Sequence, residues 1–214
     1  MDESPDDLSR LSVREFVKLA ASGEPVPGGG AVASLAGALG TAMAAMAANF
    51  TVGKPQFAGH EDLMRRSLSE LGPIIESLTL GVDADARAFS GLSRAYRFPR
   101  DSEEAKRKRR EAIQAALLAA ARAPERALAD CLRAASLLSG LAEAANPSLL
   151  SDVEVAAIML AAAAKAARVN ILANTRNLAG DAARQAETEA EKATLAVERL
   201  ANEALSVIGK RRGD

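Results

Sequence analysis

The sequence holds one cysteine, one histidine, one tyrosine and no tryptophan in 214 residues, and aromatics make up 3%. The single cysteine, Cys131, excludes an internal disulfide. One Cys and one His fall short of the roughly three His/Cys ligands that a zinc hydrolytic site takes, so no metal centre is expected. A Ser-His-Asp triad would have only His60 to use. Scarce aromatic and β-branched residues argue against sheets and leave little on which to stack bases. Charge of either sign is in no surplus: 27 Lys and Arg face 28 Asp and Glu, a net of −1. No global field draws such a chain to nucleic acid or to a membrane.

Alanine is what the sequence has instead, 49 of the 214 residues. Its helix propensity and small size point to close-packed helices, an all-α multi-helix bundle. The length suits one domain, residues 1–214. The acidic opening MDESPDDLSR is unlike a signal peptide, which starts basic and turns apolar, so a cytoplasmic protein is expected. Ala31 to Phe50 is uncharged and as long as a membrane span. Its Ala, Gly, Ser34, Thr41 and Asn49 insert poorly, so a buried helix is expected and no membrane partner.

Capping and breaking residues mark the elements. Ser12 with Glu15 predicts a capping box on a short helix, Val13 to Ser22. Pro25, Pro27 and Gly28-Gly29-Gly30 break it, and a helix is expected over Ala31 to Thr51. Gly37 and Gly40 inside that helix imply another backbone packed closely there. Further helices are expected over Glu61–Leu71, Pro73–Arg97, Ser102–Ala121, Pro124–Leu141, Asp152–Leu178 and Asp181–Ile208, with Ser151 and Glu154 as a second capping box and Gly180 as a break.

The helix from Pro73 carries apolar residues at Ile75, Leu78, Val82, Phe89, Leu92 and Tyr96, a seam stepping by three or four. Between Val82 and Phe89 the seam position belongs to Asp85. Asp83 lies about 200° round the helix from it. The spacing therefore predicts a solvated Asp83 and an inward Asp85. A buried carboxyl has its pKa raised towards neutrality, which suits a general acid or base; a partner on another helix would explain it as well.

Other features carry weaker signals. Gly28, Gly29 and Gly30 feed a helix N-terminus whose free N–H groups can receive an anion or a carbonyl. Without a following Lys-Ser/Thr pair it is not a P-loop, and a tight interhelical turn is the plain alternative. Asn170, Asn174 and Asn177 share one helix face, either a polar surface or a set of amides for a polar ring. The run KRKRR at 106–110 reads as a solvated face. Lys54 is a better-placed single cation, and Asp152 reads most simply as a first-turn acid. His60 and Cys131 have no local partner in the sequence.

Taken together these blocks resemble one family. FVKLAASGEPVPGGGAVASLAGALGTAMAAMAANFTVGKPQF is similar to the opening of the cyclodeaminase/cyclohydrolase family. That family includes the C-terminal domain of formiminotransferase-cyclodeaminase and stand-alone methenyltetrahydrofolate cyclohydrolases. VDADARAF followed by Tyr96-Arg97-Phe98-Pro99, Asn146-Pro147 leading to Ser151-Asp152-Val153, and the Asn170…Asn174 helix match in order. At Ala31 the family usually has Ser, so a hydroxyl cap is absent here.

The resemblance implies an all-helical homodimer, a tetrahydrofolate substrate and no cofactor, with Asp85 as the catalytic acid. It implies substrate-binding roles for Gly28, Gly29 and Gly30 at the pterin or its linker. Asn170 and Asn174 would then meet ring edges, Lys54 the glutamate tail, and Asp152 lies in a matching block. Two reactions follow: hydrolysis of 5,10-methenyltetrahydrofolate to 10-formyltetrahydrofolate, or cyclodeamination of 5-formiminotetrahydrofolate with release of ammonia. A helical scaffold or a folate-binding module without turnover is the alternative of another class.

Overall fold

Alanine and glycine at the helix contacts let long helices approach closely, and the fold is built on that approach. The computed structural model describes residues 7–178 and 181–213. The segment 1–6 and the expected break at Gly180 lie outside the described residues. Among those described there are seven α-helices and no strand: α1 Val13–Ala20, α2 Gly29–Asn49, α3 Glu61–Tyr96, α4 Glu103–Ser136, α5 Leu138–Ala144, α6 Leu150–Thr175 and α7 Ala182–Arg212.

Helix α2 lies at the centre, against α3, α4 and α6, while α7 closes the far side on α4, α5 and α6. Helices α2 and α6 approach closely. A Cβ on Gly40 would sit 2.9 Å from Met159 Cβ and 3.2 Å from the Leu160 nitrogen. Gly37 likewise leaves room for the Cys131 sulfur and Leu78. Gly40 therefore meets another backbone, as the sequence implied, whereas Gly37 meets side chains only. The main core joins Leu71, Ile74, Leu78, Leu138, Leu160 and Val197 to a large set of buried alanines. A second cluster, Leu8, Phe16, Val26, Ala31, Val82 and Ala86, fastens the N-terminal segment over the start of α2.

Several boundaries differ from the sequence reading. The helices expected on either side of Gly72-Pro73 are one 36-residue helix, α3. Pro73 removes one backbone donor, but its ring faces solvent while Leu71 and Ile74 are buried beside it. Tertiary burial on both flanks outweighs a proline penalty of about 3 kcal/mol. Pro124 is likewise inside α4, and a break comes instead at Leu137. The Ser12–Glu15 capping box forms. The one expected at Ser151 and Glu154 does not, because α6 begins at Leu150 directly after a 3-10 turn over Pro147–Leu149. Asn146 caps that turn, accepting from the Ser148 N–H at 3.1 Å, and Glu154 pairs with Arg212 at 2.6 Å.

The expectation for Asp83 is corrected. Asp83 is only 5% exposed. It accepts from the Ser9 N–H at 3.0 Å and the Ser9 hydroxyl at 2.6 Å. A helix's own periodicity carries no record of a segment 74 residues away that folds across its outer face. Asp83→Ala removes two hydrogen bonds to a buried carboxylate, which predicts a loss of about 2–3 kcal/mol. Denaturant unfolding measures that loss, and faster hydrogen exchange at Leu8 to Leu11 would locate it at this anchor.

Candidate active site

Two helices cross beside the glycine loop, and each offers a glycine to a polar side chain of the other. On α2 the pair is Gly30 and Ser34; on α3 it is Gly81 and Asp85, again four residues apart. The Asp85 carboxyl rests on the Gly30 Cα, where a Cβ would come within 2.0 Å of Oδ1. One turn along, the Ser34 hydroxyl occupies the space at Gly81. Ser34 Oγ is buried without a hydrogen-bond partner among the described residues. Thr41, Thr51, Thr175 and Thr194 instead return their buried hydroxyls to the carbonyl four residues back. Sequence reasoning missed Ser34, whose only signal is its four-residue step from Gly30.

Asp85 accepts from the Ala31 N–H at 3.0 Å and so stands at the N-terminus of α2, where Gly28 supplies no side-chain cap. Two effects oppose there. Burial disfavours the charged carboxylate, while the N–H and the helix dipole favour it. Burial is the larger, and it raises the Asp85 carboxyl above the ordinary aspartate range. Asp85 is only half-buried, so the group is both perturbed and reachable.

The apolar seam changes character at the same residue. Leu78 and Val82 before Asp85 are buried, whereas Phe89 and Tyr96 after it are 41% and 47% exposed. The acid therefore stands where the seam of α3 passes from buried to exposed, at the foot of an uncovered apolar shelf. A cleft of about 260 Å³ lies between α3 and α4, lined in part by Gly81, Ala84, Arg87 and Arg126; the Asp85 carboxyl is not in its wall.

The other residues expected at the site separate into two groups. Gly28 and Gly30 face Asp85, and Gly29 faces Asn170, whose amide lies where a Gly29 Cβ would be 3.0 Å from Oδ1. The Asn170 amide also donates to the Ala166 carbonyl at 2.8 Å. Asn174, one turn further, donates to the Ala120 carbonyl on α4 at 3.1 Å. Asn177 falls beyond the end of α6, and its carbonyl accepts from Gln114 at 2.9 Å. Lys54 and Asp152 lie at the opposite end of the molecule. Lys54 follows the C-terminus of α2, and Asp152 is in the first turn of α6. The 21 residues of α2 put about 30 Å between Lys54 and the glycine loop.

The remaining signals resolve simply. Cys131 is fully buried and its thiol is pushed up to about 12, chiefly by burial, so it is inert near neutrality. Within the basic run, Lys106, Arg107 and Lys108 pair with Glu103, Glu111 and Glu104, and Arg109 donates to the Tyr96 carbonyl: a solvated helix face.

An all-α protein with a raised carboxyl at a glycine-rich helix start is the class that fold and site define. A profile of the Formiminotransferase-cyclodeaminase family matches residues 12–194. The chain is 34% identical over 181 residues to the formimidoyltransferase-cyclodeaminase of Rattus norvegicus, covering 84% of this chain and 34% of that one. It thus spans about a third of the rat protein's length. It is 30% identical over 167 residues to the methenyltetrahydrofolate cyclohydrolase of Methylorubrum extorquens, covering 78% and 80%. The crystal structure of formiminotetrahydrofolate cyclodeaminase from Thermotoga maritima superposes with a TM-score of 0.84 at 30% identity, covering 95% and 98%. The chain belongs to this folate one-carbon cyclodeaminase/cyclohydrolase family of enzymes.

Proposed function

We propose that this chain is a cytoplasmic, homodimeric methenyltetrahydrofolate cyclohydrolase in which Asp85 moves the protons. The observation that carries the reading is the Asp85 carboxyl itself. It is raised by burial, held by the Ala31 N–H and reachable beside Gly28–Gly30. The substrate is an amidinium whose carbon bridges N5 and N10. Water adds to that carbon and gives one proton to Asp85. The tetrahedral adduct collapses: its hydroxyl loses a proton, the carbonyl forms, and the carbon–N5 bond breaks. N5 takes the proton held by Asp85, and 10-formyltetrahydrofolate leaves with one net proton released. A carboxyl raised by burial serves both as acceptor and as donor. Neither step calls for a metal or a redox cofactor.

Gly28–Gly30 would receive the pterin or its linker at the α2 terminus. Asn170 and Asn174 would meet ring edges, and Lys54 and Asp152 would bind the substrate's distal part. The cyclodeaminase reaction is the second reading, favoured by the match to the Thermotoga maritima protein. There N10 attacks the formimino carbon and ammonia departs with a proton supplied by the same acid.

Following the absorbance of 5,10-methenyltetrahydrofolate with purified protein tests the first reading. A loss well above the spontaneous rate is expected. No acceleration, with ammonia released from 5-formiminotetrahydrofolate, would move the assignment to the cyclodeaminase. Inactivity on both would leave a binding module.

A further inference from the structure

The cleft between α3 and α4 opens on a different face of α3 from the acid. Its floor is Leu78 and Ala127, both buried. Its walls are Gly81 and Ala84 on α3 and Ala123 on α4. No wall residue has an atom beyond Cβ, so two bare helix surfaces face each other across a slot. Gly81 lends only its backbone, because its Cβ position points across to Ser34 on α2. Leu80 forms one lip and is 53% exposed, a large apolar side chain left to water. Asp85 lies about 100° round the helix from Ala84.

The polar side chains of the slot are engaged, except for guanidinium donors. Ser77 donates to Asp130 at 2.5 Å and accepts from Arg126 Nε at 2.9 Å. Asp130 also accepts from Arg133 at 3.2 Å and stands 4.0 Å from Arg126 Nε. The terminal nitrogens of Arg126 keep their donors. Arg87 lines the same slot and makes no hydrogen bond or ion pair among the described residues. A helical side chain leans towards its own N-terminus, which carries Arg87 back over Ala84. The one carboxylate at the slot is thus already shared between Ser77 and Arg133, while two cations have capacity to spare.

We propose that this cleft binds a small aromatic carboxylate. Its ring lies between the Gly81–Ala84 turn and Ala123, and its carboxylate rests on the Arg87 guanidinium, with Arg126 adding positive charge. Each part of that class answers one feature. The walls of Gly and Ala admit a flat body and offer it no hydrogen bond. At about 260 Å³ the cleft falls below the roughly 300 Å³ at which sites for drug-sized ligands begin, so it suits a single ring. A planar guanidinium matches a carboxylate in a two-bond fork. The site stands whichever reaction Asp85 performs, and it backs on to the turn of α3 that carries the acid.

Equilibrium dialysis of radiolabelled benzoate against the purified protein tests the site. Saturable binding of one benzoate per chain is expected, with a Kd of about 1 mM for so few atoms. Arg87→Gln should weaken it about tenfold. Ala123→Leu fills the slot from one wall and Ala84→Leu from the other; each should abolish binding, and each keeps a good helix former in place. Asp85→Asn should leave binding unchanged. No saturable binding overturns the proposal. So does full binding in both filled variants, or a loss in Asp85→Asn instead, which would put benzoate at the acid.

Two competitors test the ligand class. Benzyl alcohol keeps the ring and lacks the charge, and inorganic phosphate keeps the charge and lacks the ring. Each should displace benzoate at least about tenfold less well than unlabelled benzoate does. Equal displacement by benzyl alcohol removes the carboxylate from the proposal. Equal displacement by phosphate reduces the site to two exposed cations and overturns it.

Discussion

Asp85→Asn is expected to lower kcat by about 10²–10⁴-fold, the usual contribution of a positioned acid or base. The fold should survive the change. Asn keeps a side-chain oxygen for the Ala31 N–H, and it fills nearly the same volume over Gly30. What it loses is the capacity to hold and release a proton. Substrate affinity, measured by equilibrium binding, should change little. The stability effect has a definite sign. The Asp85 carboxyl titrates higher in the folded chain than in the unfolded one. Its contribution is therefore fully present below the unfolded pKa and is lost as pH rises through the folded value. Asn carries no such dependence. The variant should match or exceed the wild-type Tm near neutrality, and its advantage should shrink at acid pH. Full turnover by Asp85→Asn would remove Asp85 from the chemistry, and a collapsed Tm at neutral pH would show that the carboxylate is needed for the fold.

Gly30→Ala should cost nearly as much activity for a different reason. The added Cβ would lie 2.0 Å from Asp85 Oδ1 and 2.5 Å from its Cγ, a contact that no side chain sustains. The colliding group is a side chain that can rotate away, so the helices need not part. Alanine also favours the first turn of α2 over glycine by up to about 1 kcal/mol, which offsets the lost Ala31 hydrogen bond. Tm should therefore stay close to wild type. The displaced carboxyl moves towards water and loses the burial that raised it. The limb of kcat/KM against pH that reports Asp85 should shift down towards the ordinary aspartate range in Gly30→Ala. In Asp85→Asn the same limb should vanish. An unshifted limb with normal turnover would mean that Asp85 works from some other position.

These two variants separate proton chemistry from placement, and they show which parts of the site were legible in the sequence. The seam over Ile75 to Tyr96 singled out Asp85 because an acid at a helix-periodic apolar position must meet a neighbouring element. The glycine run marked a place where something approaches the backbone, without naming the group. That group proved to be Asp85 and the Asn170 amide, joined across 54 and about 140 residues of chain. Asp83 was misread because its partner Ser9 arrives from the N-terminal segment. Ser34 left no mark because a serine in an alanine-rich helix reads as neutral. The breaks assigned to Pro73 and Pro124 fail for a related reason: local propensity amounts to a few kcal/mol at most, and burial on both flanks exceeds it.

By itself the sequence determined the helical class, the close backbone approach at Gly40, the central charge-free helix and the carboxyl at position 85. Each follows from composition or from the 3.6-residue period, which are local quantities. Only the tertiary structure decided which carboxylate is sealed and which stays reachable. It alone laid Asp85 on Gly30 and Asn170 on Gly29, and it alone carried Asp152 to the far end of α2. Those outcomes depend on how helices cross, and a crossing is set by side chains distant in the chain that meet only when the core closes.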